Sequence, residues 1–280
     1  IYDIENYFEY NTNNFINGLD FISRSFPELS DIDLDGDLDL FISNRYDDST
    51  APWNSRIHFF ENQNNNKFVL RDNEFLGINL GQNLSTNFVD IDLDGDLDLF
   101  IGDYNGFIKF YRNNTLIEDY INFDFSFSEE ISINLENIDL SGTSVPVMVD
   151  LDNDKDYDLI TGELNGLVRL YENIGNQTNP VFSSSVILKD FQSIYSNVAP
   201  DFFDLDNDCD FDMLVGTKNN GIIFFENIGS PVLPDFGGLG LNFSDIKGDY
   251  LNTSLGYIDD NLSLFIGNEN GGLYHYKIDR

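Results

Sequence analysis

Four stretches of this sequence place an aspartate at every second position, and their carboxylates are the groups best suited to chemistry. The stretches begin at Asp31, Asp90, Asp150 and Asp204, and each follows the pattern Asp-x-Asp-x-Asp-x-Asp-x-Asp. Carboxylates this close raise one another's pKa unless a cation neutralises them. Ca²⁺ accepts roughly 6–8 oxygens in a tolerant geometry, whereas Mg²⁺ demands a strict octahedron, and oxygen-only ligands argue against Zn²⁺ or Cu²⁺. The pattern therefore predicts one calcium ion per loop, about four in all.

The candidate metal ligands are the aspartates at loop positions 1, 3, 5, 7 and 9: Asp31, Asp33, Asp35, Asp37, Asp39, Asp90, Asp92, Asp94, Asp96, Asp98, Asp150, Asp152, Asp154, Asp156, Asp158, Asp204, Asp206, Asp208, Asp210 and Asp212. A glycine at position 6, Gly36 in the first loop and Gly95 in the second, allows the sharp turn that wraps the chain around an ion. Lys155 and Cys209 stand there in the third and fourth loops. A side chain is strained at positive φ, so we expect these two loops to bind calcium more weakly.

An EF-hand and a metal-free acidic loop are the alternatives to a calcium site of this kind. An EF-hand opens with a similar pattern, but it needs a bidentate glutamate at position 12 and flanking helices. Position 12 in the four copies is occupied by Ile42, Ile101, Thr161 and Val215, which excludes an EF-hand. Solvated acidic loops without a metal are the plainer alternative, and the regular recurrence of nearly identical copies argues against them.

The aspartate loops mark a repeat that organises the chain. Each loop runs into an apolar stretch, then a turn, then a second apolar stretch that ends at an asparagine, as at Asn113, Asn173 and Asn227. Two further strand-like stretches complete the unit, so that about 55 residues hold four short strands, as in a β-propeller blade. No stretch shows a convincing 3.6-residue apolar period. The sequence predicts an all-β fold, a β-propeller of four-stranded blades in a single domain over residues 1–280.

A fifth repeat is degenerate, and the chain ends leave the closure of the ring open. Residues 257–263 stand where the fifth loop should be and have lost most carboxylates, so we expect this blade to fold without calcium. Residues 5–11 resemble the third strand of a repeat, which suggests that further repeats precede them in a larger, for example seven-bladed, propeller. Alternatively, residues 15–22 supply the missing fourth strand of blade five.

The composition limits the classes of function. The 50 acidic and 14 basic residues give a formal net charge of -36, which repels nucleic acid and anionic lipid surfaces. The 26 Phe and 14 Tyr residues supply too much apolar surface for a disordered acidic chain. No apolar run reaches the roughly 18 residues of a membrane-spanning helix. The single cysteine, Cys209, excludes an internal disulfide.

The aspartate loop, the Leu-Phe-Ile-Gly stretch at 99–102 and the Tyr-Glu-Asn ending at 171–173 resemble FG-GAP/VCBS repeats, over nearly the whole chain. This resemblance implies the propeller of integrin α subunits and of many secreted bacterial surface proteins, and the stretch at 171–182 is similar to copies in Bacteroidetes-type proteins. It implies that side chains at positions 1, 3, 5 and 9 coordinate Ca²⁺ while position 7 offers its backbone carbonyl. It also implies a secreted protein, extracellular or on the cell surface.

Other features permit both functional and structural interpretations. The first repeat carries an insertion at residues 47–53 with the only tryptophan, Trp53, which either contacts a partner or sugar or folds back onto its blade. Residues 114–143 form either a lengthened outer strand or a lip over the propeller face. His58 and His275 each lie within an apolar stretch, which favours a packed position over catalysis. Cys209 has no evident activating base, which argues against a nucleophilic role.

Three functions compete. The leading hypothesis is a calcium-stabilised adhesion, protein-binding or scaffolding module that is not an enzyme, binds a protein or glycan on one propeller face and assembles with other chains of a surface structure. The alternative is a carbohydrate-binding, lectin-like module or the accessory domain of a polysaccharide-degrading enzyme. The third is a glycoside-cleaving propeller with a carboxylate pair near its central channel. The sequence singles out no such pair, so it assigns no catalytic residue and no organic cofactor.

Overall fold

The computed structural model describes residues 8–10, 21, 23–46, 55–63, 67–77, 81–115, 123–127, 142–243, 246, 248–258 and 260–278. These residues form five four-stranded antiparallel sheets, and none of them belongs to a helix that is long and apolar enough to cross a membrane. The sheets surround an axis as the blades of a propeller, because the innermost strand of each sheet contacts the innermost strands of its two neighbours. The all-β propeller expected from the repeats is confirmed, with five blades.

The strands of each blade are ordered from the axis outward. Blade one comprises β2 (Ser25–Ser30), β3 (Asp39–Asn44), β4 (Ile57–Asn62) and β5 (Phe68–Asp72). Blade two comprises β6 (Ser85–Val89), β7 (Asp98–Gly102), β8 (Ile108–Asn113) and β9 (Phe125–Phe127). Blade three comprises β10 (Ser144–Val149), β11 (Asp158–Glu163), β12 (Leu167–Tyr171) and β13 (Val186–Asp190). Blade four comprises β14 (Ala199–Phe203), β15 (Asp212–Gly216), β16 (Ile222–Phe225) and β17 (Leu241–Asn242). Blade five comprises β18 (Asn252–Ile258), β19 (Asn261–Gly267), β20 (Leu273–Ile278) and β1 (Phe8–Tyr10).

The hydrophobic core is divided among the spaces between blades. The second strands β3, β7, β11 and β15 are buried throughout, because a neighbouring blade packs on each of their faces. In β3, Leu40 and Ile42 pack with residues of blade five, whereas Phe41 stacks on Phe59 and contacts Phe88 of blade two. Alternating side chains of one strand therefore serve two different cores, which explains why this apolar stretch shows no polar alternation.

The ring closes through the beginning of the chain. Strand β1 pairs with β20, with Phe8 opposite Ile278, and thereby supplies the outer strand of blade five. Strand β18 contacts β2 of blade one, so the circle is complete with five blades and a larger ring is not formed. The expected fourth strand at residues 15–22 is thus replaced by Phe8–Tyr10, while residues 15–20 and 22 lie outside the described residues.

Several features that stood out in the sequence now have a position, or lie outside the described residues. In blade five, β18 and β19 are joined directly, with Ile258 opposite Asn261, so a hairpin replaces the aspartate loop. His275 is buried and stacks on Phe265 at 4.4 Å, which is a packed position. From the stretch 114–143, β9 forms the outer strand of blade two. The insertion at 47–53, including Trp53, lies outside the described residues.

The last residue of β7, Gly102, leads to a prediction about how closely blades pack. A Cβ at this position would overlap the carbonyl oxygen of Ser144, on the inner strand of blade three. We expect Gly102→Ala to destabilise the fold by about 1–3 kcal/mol, the usual range for an overpacked contact. Chemical denaturation measures the effect, and Gly238→Ala, where an added Cβ meets no atom within 4 Å, is the control. Equal stability of the two variants would contradict this account of the blade interface.

Candidate functional site

The four aspartate loops share one backbone conformation and lie on the same face of the propeller. Each connects the inner strand of a blade to its second strand. Position 4 has a left-handed conformation in all four loops, with φ between 57° at Leu34 and 62° at Asn207. Position 6 is left-handed as well, at φ 96° for Gly36 but also at 81° for Lys155 and 74° for Cys209. The strain that the sequence suggested for loops three and four is therefore present.

The backbone of each loop is folded around its first carboxylate. The position 6 amide donates to the position 1 carboxylate in every loop, from Gly36 to Asp31 at 3.1 Å and from Lys155 to Asp150 at 3.0 Å. The same bond joins Gly95 to Asp90 and Cys209 to Asp204. These bonds draw the side chains inward, and carboxylate oxygens from positions 1, 3 and 5 lie within 4.8 Å of one another in each loop: Asp31, Asp33 and Asp35; Asp90, Asp92 and Asp94; Asp150, Asp152 and Asp154; Asp204, Asp206 and Asp208.

The aspartate at position 9 connects the loop to the third strand of its blade. One oxygen of Asp39 accepts the backbone N–H of Asn62 at 2.8 Å, and Asp98 does the same for Asn113 at 2.7 Å. The equivalent bonds in blades three and four join Asn173 to Asp158 and Asn227 to Asp212. The asparagine that ends each of these repeats therefore has a structural role, because its backbone N–H fixes one oxygen of the position 9 carboxylate.

The electrostatics of the loops favour a bound cation. Burial and the neighbouring aspartates raise the pKa of Asp39 to about 8 and that of Asp98, Asp158 and Asp212 to about 7. The same causes raise the pKa at position 7 to about 7 for Asp96 and to about 6 for Asp156 and Asp210. In every loop the ionised form of at least one carboxylate is therefore disfavoured, and a bound cation would restore it.

The donor set fits a hard divalent cation. Buried carboxylate oxygens without a hydrogen-bond partner occur in the loops at Asp31 Oδ1, Asp39 Oδ2, Asp98 Oδ2 and Asp206 Oδ1, and such atoms are costly unless a ligand satisfies them. In loop two, Arg112 also forms an ion pair with Asp92, which adds a permanent positive charge beside a proposed ligand. All four loops retain the grouping of oxygens that a metal ion requires.

The metal site yields a prediction about stability. A ligand that binds only the folded state adds about 2.7 kcal/mol per site at 100 times its Kd, so Ca²⁺ in excess should raise Tm and a chelator should lower it. Differential scanning calorimetry in CaCl₂, MgCl₂ and EGTA measures this. We expect a clearly smaller rise with Mg²⁺, and the Asp33→Asn and Asp152→Asn variants should each lose part of the calcium effect. A Tm that is equal in CaCl₂ and EGTA would exclude the site.

The left-handed backbone at Lys155 yields a second prediction. Because a residue with a side chain is strained at φ 81°, we expect Lys155→Gly to stabilise the folded protein by about 1 kcal/mol and to tighten cation binding in loop three. Lys155→Ala removes the same charge but keeps the strained backbone, so it should not stabilise. Thermal unfolding in saturating Ca²⁺ compares the two variants. An equal gain from both would assign the effect to charge and not to backbone strain.

A second candidate site lies on the propeller axis. In each inner strand, the residue three positions before the start of the loop lies at this axis. These residues are Glu28, Asn87, Val147, Asp201 and Ser254. The polar ones bond to the next blade: Glu28 accepts from the Asn87 side-chain amide at 2.9 Å and from the Phe88 N–H at 3.4 Å. Ser254 accepts from the Leu29 N–H at 2.9 Å. The layer thus satisfies backbone groups that inner strands would otherwise expose to the channel.

Two of the residues in this axial layer are carboxylates. Glu28 belongs to blade one and Asp201 to blade four, which are not adjacent, and both line the same cavity. Burial raises the pKa of Asp201 to about 7, although its carboxylate accepts the backbone N–H of Phe202 at 2.9 Å. Burial, and secondly the charge of Asp201, raise the pKa of Glu28 well above its usual range. Asp201 Oδ2 has no hydrogen-bond partner.

The axial layer forms the floor of a funnel that opens on the aspartate-loop face. The funnel has a volume of about 650 Å³ and receives residues from all five blades, which is within the usual size of a small-ligand site. Loops three and four supply much of its wall, through Lys155, Asp156, Cys209 and Asp210. The metal loops and the axial carboxylates are therefore parts of one surface.

The axial pair was not predicted from the sequence, although the sequence carries a signal for it. Glu28 and Asp201 both stand three residues before the first aspartate of a loop, and each is an acid in an otherwise apolar or small-residue strand. The shared offset of three residues indicates a common position only when the inner strands are known to surround an axis. Among so many acidic residues, the sequence alone gives no reason to separate these two from the rest.

Two comparisons with known proteins bear on this fold and site. A family model described as FG-GAP-like repeat matches residues 31–101 and 150–215, which contain the four aspartate loops. No curated protein sequence matches the chain.

Solved structures similar to this chain are propellers of carbohydrate-active enzymes. A glycoside hydrolase structure from Parabacteroides distasonis is 13% identical, with a TM-score of 0.58 over 98% of this chain and 96% of that one. A GH43 β-xylosidase/α-arabinofuranosidase from a compost metagenome, in complex with xylotriose, is 11% identical, with a TM-score of 0.60 over 96% and 93%. A GH43 enzyme from Xanthomonas citri with xylotriose is 9% identical, with a TM-score of 0.59 over 94% and 89%. At this identity, the likeness shows a shared fold.

These matches correct two expectations from the sequence. The adhesion or scaffolding module that the integrin resemblance suggested is contradicted, because the similar solved propellers are glycoside hydrolases. The expectation that the chain is not an enzyme is contradicted by the same matches. The physical reason for both errors is that the repeats describe the blades, whereas the axial residues that distinguish one propeller from another lie outside the repeat's metal loop.

Proposed function

This chain is an FG-GAP repeat β-propeller, and from that premise we propose that it is a carbohydrate-processing protein that holds a glycan in its axial funnel. Glu28 and Asp201 are the two groups that act on the glycosidic bond. The observation that carries the proposal is the position of these two carboxyl groups, which both line the floor of a funnel of about 650 Å³. The glycan complexes of similarly folded enzymes support it.

The two carboxyl groups are suited to different roles in glycoside cleavage. Such cleavage requires one protonated acid to protonate the leaving oxygen and one ionised carboxylate on the opposite side of the sugar. Glu28, whose pKa burial raises well above its usual range, would act as the acid and donate its proton to the glycosidic oxygen as the carbon–oxygen bond breaks. Asp201, with a pKa of about 7, takes a proton from the attacking water and stabilises positive charge on the sugar ring.

The neighbours of both groups support these roles. Asn87 donates to Glu28 through its side-chain amide, and it accepts the Met148 N–H at 2.9 Å, so it positions the acid and is itself fixed. The backbone N–H groups of Phe202 and, in blade five, Leu255 hold the Asp201 carboxylate and oppose the rise of its pKa. Its Oδ2 has no hydrogen-bond partner, and this is the oxygen that would contact a substrate or water.

We propose that the ions in the aspartate loops are Ca²⁺. Its role would be to hold loops three and four in the conformation that forms the funnel wall. Position 1, 3, 5 and 9 carboxylates would hold the ion, and the unpartnered loop oxygens support this assignment. Calcium sites of extracellular modules are suited to the roughly millimolar calcium outside cells, so we also propose that the protein is extracellular.

The catalytic proposal predicts the effects of two conservative substitutions. Glu28→Gln and Asp201→Asn keep side-chain size and a hydrogen-bond acceptor but cannot transfer protons, so each should lower turnover about 100-fold or more. The measurement is hydrolysis of xylotriose and a panel of p-nitrophenyl glycosides, with xylotriose binding followed by calorimetry. Glu172→Gln removes an exposed carboxylate and should leave both unchanged.

Each outcome of that experiment has a defined meaning. Hydrolysis that survives in both axial variants would exclude these residues as the acting pair. Xylotriose binding without turnover of any glycoside would exclude cleavage and leave glycan recognition, which is the function of a lectin-like module. Neither binding nor turnover across the whole panel would contradict the proposed function.

The raised pKa of Asp201 predicts a pH-dependent difference in stability. A carboxyl group whose pKa rises from 3.8 to about 7 on folding binds more protons in the native state, so its contribution to stability falls as pH rises between about 4 and 7. Asp201→Asn cannot lose this contribution. In saturating Ca²⁺, the Tm of the variant minus the Tm of the unsubstituted protein should therefore increase from pH 4 to pH 7. Above about pH 7 this difference should stay constant. A difference in Tm that is independent of pH would contradict the raised pKa.

A further inference from the structure

The axial channel is filled immediately below the carboxylate layer. Phe26, Val145 and Ala199 stand two residues before Glu28, Val147 and Asp201 on their strands, and they form an apolar cluster. These residues belong to blades one, three and four, and blade one is adjacent to neither of the others, so the cluster crosses the axis. All three are buried, with exposures of 3%, 7% and 3%. Above them, the channel narrows to a space of about 30 Å³, which has room for roughly one or two water molecules.

A second layer closes the channel further from the funnel. Arg24 stands two residues before Phe26 and is 2% exposed. Its guanidinium lies 4.6 Å from the ring centre of Phe26 and 4.7 Å from that of Tyr250. Nη2 donates to Asn252 at 3.3 Å, and Nη1 lies 2.7 Å from the side-chain oxygen of Asn197 in the amide orientation that satisfies both groups.

These contacts show that Arg24 spans the axis. The residue belongs to blade one, whereas Asn197 precedes the inner strand of blade four, on the far side of the ring. Burial lowers the pKa of Arg24 to about 9, so the group remains charged at neutral pH, although it is enclosed by protein. A charged and hydrogen-bonded side chain over an aromatic ring is expensive to displace. A sugar chain therefore cannot pass through the propeller.

We infer that the funnel is a blind pocket that accepts the end of a glycan chain. An internal segment needs an open groove or a through-channel, since the chain must leave the site in two directions. Here the walls come from all five blades, and the floor is sealed by the Phe26 cluster and Arg24. This inference rests on the proposed function, and it adds that the substrate is recognised by its terminus and that products leave one unit or short end at a time.

The first test measures the seal without any glycan. In a Cys209→Ser background, which removes the only cysteine, single cysteines are introduced by Val147→Cys and Val145→Cys. These positions lie two residues apart on β10, one in the funnel and one in the seal. A maleimide should label Val147→Cys readily and label Val145→Cys at least 100-fold more slowly, until denaturant exposes both. Similar rates in the folded protein would overturn the inference.

The second test uses xylohexaose labelled with a fluorophore at its reducing end. Cleavage from the unlabelled end should release one unit or a short end first, which leaves labelled pentaose or tetraose, and shorter labelled products should appear only later. Early appearance of labelled products of all lengths would overturn chain-end recognition while leaving the proposed cleavage intact. If neither xylohexaose nor any glycoside of the panel is bound or cleaved, the proposed function fails and the glycan inference fails with it. The labelling rates still report separately whether the pocket is blind.

Discussion

The structure depends on how the innermost strands find hydrogen-bond partners for the backbone groups on the edge that faces the axis. A propeller leaves each inner strand without a strand partner on that side, so its backbone N–H groups would meet a narrow channel instead of water or a sheet. Here polar side chains three residues before a loop bond to the next blade, as Glu28 does to Phe88 and Ser254 does to Leu29. The requirement for polar side chains on the axis follows, and with it the opportunity to build a site there.

Much of the fold could be predicted from the sequence because the repeat reports on local structure. The loop pattern, its left-handed turn at position 6 and the strand that follows are decided by neighbouring residues, and they occur in all four copies. Ring closure could not be predicted, because β1 has only three residues, Phe8–Tyr10, and nothing in so short a segment specifies β20 as its partner. The axial pair was missed for a related reason, since Glu28 and Asp201 lie 173 positions apart in sequence order and line the same cavity only after five blades close.

The metal loops and the axial site illustrate two uses of the same chemistry. In the loops, carboxylates are close together and are held by backbone amides, so that a cation is the simplest way to satisfy them. On the axis, Asp201 and Glu28 have few neighbours of like charge, and burial is the main cause of their raised pKa values. A shared wall joins the two, because Lys155 and Cys209 of the loops also line the funnel. The strained turns of loops three and four are therefore next to the place where a ligand would sit.

The hairpin that replaces the loop of blade five makes the rim uneven. Leu93, Asn153 and Phe211, from the loop segments of blades two, three and four, line the funnel. Blades one and five contribute only inner-strand residues, Glu28 and Leu29 from one and Ser254 and Leu255 from the other. The funnel is therefore asymmetric although the blades are nearly repeated: its rim is high on one side and low on the other. A long polymer that inserts its end would leave over the low side, beside blades one and five, so the uneven rim sets the orientation of everything that lies outside the pocket.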